Sequence, residues 1–204
     1  PAPPTPAPTP APTPPTPAPG TLGCSATIDP AATVPLKPNT CGSIGPCLAA
    51  MPSTCAAKAL TLLPGVTYSG PQNTNIALTS TAAVSITGPA APAPLRVGPD
   101  GAAEPVTGAG VPAASAVATI DGEGTRWLFS VADTASLTLR DVALVRGRGA
   151  QFAVGGGALV NGGGAVRLQS AARFSATGVL FDSHTATVQT GGTGWGAGGA
   201  VFTS

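Results

Sequence analysis

The chain has 204 residues, including 28 Gly and 24 Pro, with 8% charged and 4% aromatic residues and a formal net charge of +1. Charge so sparse and balanced excludes an electrostatic nucleic-acid binder and a polybasic membrane-surface protein, and no run reaches the roughly 20 apolar residues of a membrane span. Glu, Lys and Gln are too scarce for a helical bundle.

Residues 1–20 read PAPPTPAPTPAPTPPTPAPG and hold eleven of the 24 prolines. A tract of Pro, Ala and Thr with a closing Gly20 has nothing with which to offset the entropy of collapse. Proline fixes φ and biases its predecessor away from helix, so the tract reads as a polyproline II tail, roughly 60 Å long at about 3.1 Å per residue. It serves either as a plain linker or as an O-glycosylated stalk, the latter with Thr5, Thr9, Thr13 and Thr16 as acceptors. The Ala-Pro-Thr-Pro alternation resembles the hydroxyproline-rich glycoproteins of plant and green-algal extracellular matrices. That resemblance covers residues 1–20 only. It implies hydroxylated, O-glycosylated prolines, with Pro4, Pro6, Pro8, Pro10, Pro12, Pro14, Pro15 and Pro17 as candidates. Because the sequence opens on Pro1 with no signal-peptide pattern, a mature or trimmed product is expected.

Cys24, Cys41, Cys47 and Cys55 crowd into the next segment, residues 21–57, read as a cap region. No C-x2-C pair is present and the one histidine, His184, is far away, so zinc is disfavoured against two disulfides in an oxidising compartment. Three pairings are open. The shortest loops favour Cys24–Cys41 with Cys47–Cys55. Across the end of that region Cys47–Leu60 reads as a short helix, limited by Pro52, flowing into a strand at Ala59–Leu63.

From Lys58 to Ser204 the texture becomes short alternating runs broken by Gly, Asn, Asp and Ser, which read as strands with one buried face. Pairs of apolar residues recur at a step of eight. Ile76 and Leu78 precede Val84 and Ile86; Phe129 and Val131 precede Leu137 and Leu139; Val166 and Leu168 precede Phe174 and Ala176. A third pair follows five residues on in the last two copies, Val142 with Leu144 and Val179 with Phe181. Three short strands in about 35 residues predict one turn of a parallel β-helix, with Val131, Leu139, Leu168 and Phe174 inside and Arg140, Arg167 and Arg173 in outward or corner places. The six prolines of residues 89–116 predict a surface excursion without interior strand or helix. A small antiparallel sandwich competes but leaves the eight-then-five spacing unexplained.

The strings ALTLLPGVTYSG, VSITGP, ATIDGEG and SLTLRDVALVRGRG are similar in order and spacing to the pectin-lyase-like superfamily of right-handed parallel β-helices. GGAVRL, FSATGVLFDSHTA and the final GGAVF resemble the repeats of polymorphic outer-membrane-type adhesins and algal surface proteins. Over about residues 58–204 the resemblance implies a mainly β fold: a right-handed, single-stranded parallel β-helix of a few coils behind the short helical cap and polyproline II tail. His184 departs from the pattern, standing where the repeat usually has Asn. Because the sequence stops inside a Gly-Gly-Ala-Val repeat, further coils are expected beyond Ser204.

Active members of that superfamily need clustered carboxylates, for Ca²⁺ or for acid–base work. The acids in this chain stand apart beside turn residues, where Asp bonds its own backbone. Asp121 and Glu123 form the one close pair, and their neighbouring glycines favour a structural role. Asp182, Ser183 and His184 contain triad residue types, but alternation on a strand turns Ser183 away from the other two. Trp195, on a glycine loop, reads as a coil connection or a sugar-stacking ring. No phosphate loop, metal constellation or cofactor motif is present. These features together predict a non-catalytic, extracellular structural glycoprotein of wall, matrix or surface filament, with other copies of itself, head to tail, as partner. The alternative is a carbohydrate-binding or carbohydrate-processing β-helix whose active coils lie outside this segment.

Overall fold

The computed structural model describes residues 22–32, 38–79, 81, 83–89, 95–97, 103–105, 117–149, 151–153, 159–161, 164–169, 171–185 and 200–203. The tail 1–20 with its glycosylation candidates, and Trp195, lie outside the described residues. In chain order the elements are β1 (Ser25–Ile28), β2 (Thr40–Cys41), helix α1 (Ile44–Ala50), β3 (Ala57–Leu62), β4 (Thr67–Tyr68), β5 (Ile76–Leu78) and β6 (Ala83–Thr87). After them come β7 (Leu95–Val97), β8 (Ala103–Pro105), β9 (Ala118–Asp121), β10 (Phe129–Val131), β11 (Ser136–Arg140) and β12 (Val142–Val145). The remainder are β13 (Gln151–Ala153), β14 (Leu159–Asn161), β15 (Val166–Leu168), β16 (Arg173–Thr177), β17 (Leu180–Asp182) and β18 (Val201–Thr203).

The protein is mainly β, built on three parallel sheets. A long sheet runs β16-β11-β6-β3-β1-β2, a second runs β17-β12-β9-β4, and a third runs β18-β15-β10-β5. From β3 onward the chain visits long, second and third sheet in turn and then begins again, four times over. The sequence repeat is this circuit. Phe129 lies between Ile76 and Val166, Leu137 between Val84 and Phe174, and Leu144 between Ile120 and Phe181. The step of eight carries the chain from third sheet to long sheet, and the step of five from long sheet to second.

The apolar residues of each pair share one face because strand side chains alternate, and that face is the core. Leu60, Leu62, Ile86, Ile120, Phe129, Leu137, Leu139 and Leu144 are fully buried, each contributing about 1.5–3 kcal/mol by leaving water. Burial fades along the coil. Leu168 and Phe174, expected inside, are half-buried against the core, and Val201 is 36% exposed. Arg140 and Arg173 face outward as expected, and Arg167 is half-buried.

Tight corners join the strands. Asn75, Asp133, Asp141, Arg146 and Ser183 take positive φ there, the region that Asn and Asp enter most readily among non-glycine residues. Gly147 and Gly164, on either side of the β13–β14 excursion, meet backbone to backbone within one circuit: a Cβ on Gly147 would strike the Gly164 carbonyl oxygen.

Three expectations need correction. First, the disulfides are Cys24–Cys55 and Cys41–Cys47. The shortest-loop pairing fails because β1 lies between β2 and β3, with Ser25 opposite Ala59, so the residues leading into β1 and β3 become neighbours. Second, α1 starts before Cys47 and ends at Ala50, and β3 begins at Ala57. Pro46 is tolerated in the first helical turn, and Pro52 disfavours helix at Met51, which is extended at ψ 140°. Third, the proline-rich excursion contains an antiparallel pair, β7 with β8. Pro105 closes β8 at a strand end, where its missing N–H is tolerated. β13 and β14 form a second antiparallel pair, which the Gly-rich sequence did not suggest.

Candidate functional site

A groove of about 490 Å³ lies between α1 and β5, the terminal strand of the third sheet. Three ties hold the helix above it. The Ile44 N–H donates to Asn73 Oδ1 over 2.9 Å, and the Gly45 N–H to the Gln72 carbonyl over 2.8 Å. At the other end Lys58 Nζ donates to the Leu48 carbonyl over 2.8 Å, one of the acceptors a helix C-terminus leaves open. Cys47 then pins the helix to β2 through Cys41. Leu48, Ile76, Leu78, Val84 and the fully buried Thr74 line the groove, with the exposed Gln72 beside them. Lys58 alone among the lining residues is ionisable, and it already serves the helix. The groove offers shape and hydrogen bonds, without an acid–base pair.

The closest acids are committed to structure. Asp121, 4% exposed, receives Arg146 Nε over 3.0 Å and a second bond from Arg146 Nη2, while its Oδ1 accepts the Glu123 N–H over 2.8 Å. Burial alone would raise the Asp121 carboxyl, but Arg146 and the Glu123 N–H outweigh it and hold the pKa below the ordinary carboxylate value. Glu123 pairs with Arg126, so the two carboxylates serve different cations. That separation suits a braced turn between circuits.

Asp182, Ser183 and His184 are adjacent in sequence but do not form a relay. Ser183 Oγ donates to Asp182 Oδ1 over 3.1 Å, whereas both ring nitrogens of His184 engage backbone. His184 Nδ1 accepts the Gly147 N–H over 3.0 Å, and Nε2 lies 3.0 Å from the Leu144 carbonyl, to which it must donate. A ring so occupied takes no proton from a serine. It reaches back instead to the preceding circuit.

Sequence reasoning overlooked Lys58 and Tyr68. Lys58 shares its face with Leu60 and Leu62, so an inward lysine at the first circuit was legible from alternation alone. Nothing marked Tyr68, the one tyrosine, as fully buried. Among the described residues no group of three His, Cys, Asp or Glu is placed to hold a metal ion, and no helix is long and apolar enough to cross a membrane. Compared with protein-family models, curated proteins and solved structures, the chain matches none.

Proposed function

We propose that the chain is a secreted structural module: a right-handed parallel β-helix of the pectin-lyase-like kind whose Pro-Thr tract carries O-glycans, assembling with other copies into wall, matrix or surface filament. The observation that carries this reading is the repeated three-sheet circuit closed at its first end by two disulfides. Disulfides of this kind persist in oxidising compartments, and a stack of parallel strands is a stiff, extendable body. The charged side chains at its corners brace one circuit against the next.

The two ends are unequal. β2 is two residues long and lies under the disulfide-held helix, which blunts that edge against further pairing. The outer edges of β16, β17 and β18 pair with no further strand among the described residues. Stacking that laid β18 of one copy on β5 of the next would bring β16 to the place β1 already holds. Contacts between copies therefore follow a route other than this head-to-tail stacking.

The test is the mass of the 1–20 peptide from the native source, together with light scattering of the intact native protein. Sugar increments and a mass that grows with concentration are expected. An unmodified peptide and a strict monomer would overturn the reading. If that monomer were also retained on an acidic polysaccharide, a carbohydrate-binding role would take its place.

A further inference from the structure

The chain has a single histidine, and the structure uses it at one joint. His184 follows β17 on the fourth circuit and reaches to the corner after β12 on the third. Its ring is a two-ended clasp: the Gly147 N–H donates to Nδ1, and Nε2–H donates to the Leu144 carbonyl. Beside the clasp run two backbone bonds, Thr185 N–H to the Gly147 carbonyl over 2.9 Å and Gly149 N–H to the Thr185 carbonyl over 2.8 Å. Phe181 stands edge-on to the imidazole at 6.2 Å, and Phe174 edge-on to Phe181 at 6.5 Å, so the ring belongs to the apolar packing of the last circuit. The joint fits only glycine opposite the ring, since a Cβ on Gly147 would come within 2.7 Å of Nδ1.

Both bonds can form in only one protonation state. With the proton on Nε2 the ring is neutral and both partners are satisfied. A second proton must enter at Nδ1, where it would confront the Gly147 N–H, donor against donor. The geometry points to His184 as an acid-sensitive latch: protonation breaks the Nδ1 bond, parts the corner 183–185 from the corner 146–149, and loosens the fourth circuit from the third.

The surrounding charges do not remove this conflict. Asp182, on its own strand, favours the protonated ring. Arg146 and Arg148 flank Gly147 on the facing corner, and Arg146 is held by Asp121. From β16 and β17 the packed groups are Phe174 and Phe181, which carry no charge. Burial is the largest influence, and it moves the imidazole below its ordinary value.

The linkage has one sign. A histidine whose folded pKa lies below its unfolded value supports the closed joint fully above about pH 6.5, and that support is lost as pH falls toward the folded pKa. The test is NMR of the intact protein, in which the one imidazole needs no assignment. At pH 7.5 the ring nitrogens should report the neutral Nε2–H form, with a titration midpoint below that of free histidine. Corrected for intrinsic exchange, protection of the Gly147 and Thr185 amides should fall between pH 7.5 and pH 5.5, by no more than about tenfold, while the Leu139 amide holds. His184→Asn should keep the fold and lose that pH dependence. A midpoint at or above the free value, an Nδ1–H tautomer, or an unchanged pH response in the variant would overturn the proposal. If the variant fails to fold, the tautomer and midpoint of the native protein decide.

Discussion

Tyr68 Oη donates to the Ile28 carbonyl across 2.9 Å, tying the start of the second sheet to β1, the last strand but one of the long sheet. The same oxygen accepts the Leu63 N–H over 2.8 Å, and the side chain is fully buried. One hydroxyl thus satisfies two backbone groups at the capped end. Tyr68→Phe preserves the ring and strands both partners. Each unsatisfied buried group costs about 1–3 kcal/mol, so for two a loss of about 2–6 kcal/mol is expected in a urea titration. A change below about 0.5 kcal/mol would mean that water replaces the hydroxyl.

The circuit makes its own prediction for the core. Leu139 lies between Ile86 and Ala176 with no exposure, whereas Arg140 beside it is exposed. Leu139→Ala should cost about 2–5 kcal/mol and Arg140→Ala no more than about 0.5 kcal/mol. Equal effects in the same denaturation series would contradict the register.

The circuit was legible in the sequence because inward and outward residues alternate at a fixed period. Phe129, Leu137 and Leu144 could therefore be placed opposite their partners from spacing alone. The pairing of the cysteines was not legible: spacing carries no sign that β1 separates β2 from β3 and so places Cys24 beside Cys55. Leu168 and Phe174 belong to the inward pattern, yet they are half-buried, because burial depends on what packs across the core and a local pattern does not encode that. His184 was legible only as a departure. Its role appears when Gly147, 37 residues earlier, is seen to lack the side chain that would exclude the ring.

The two disulfides should differ in worth. Cys24–Cys55 spans 31 residues and Cys41–Cys47 spans 6. If restriction of the unfolded chain dominates, removing the first costs about 4 kcal/mol and the second about 2 kcal/mol. Paired Cys→Ser variants, compared by denaturant midpoint, check the order. Peptide mapping under non-reducing conditions checks the connectivity itself, and a Cys24–Cys41 peptide would refute the order of β2, β1 and β3 in the cap.

Asp121 sets an acid limb separate from that of the histidine. Its carboxyl is held below the ordinary value because the Arg146 guanidinium and the Glu123 N–H outweigh the penalty of burial. A carboxylate depressed on folding contributes stability above its unfolded pKa, near 4, and that contribution drains away as pH falls through the lower folded value. Stability should therefore decline between about pH 5 and pH 2, below the window in which His184 acts. Asp121→Asn keeps an oxygen for the Glu123 N–H but removes the charge that Arg146 answers. The variant should be less stable at pH 7 and should lose less on acidification, so the two urea midpoints converge near pH 2. Because every other carboxylate is common to both proteins, the difference between their pH profiles isolates this one pair. Parallel profiles would show that Arg146, exposed to solvent over 58% of its side chain, contributes nothing to the brace.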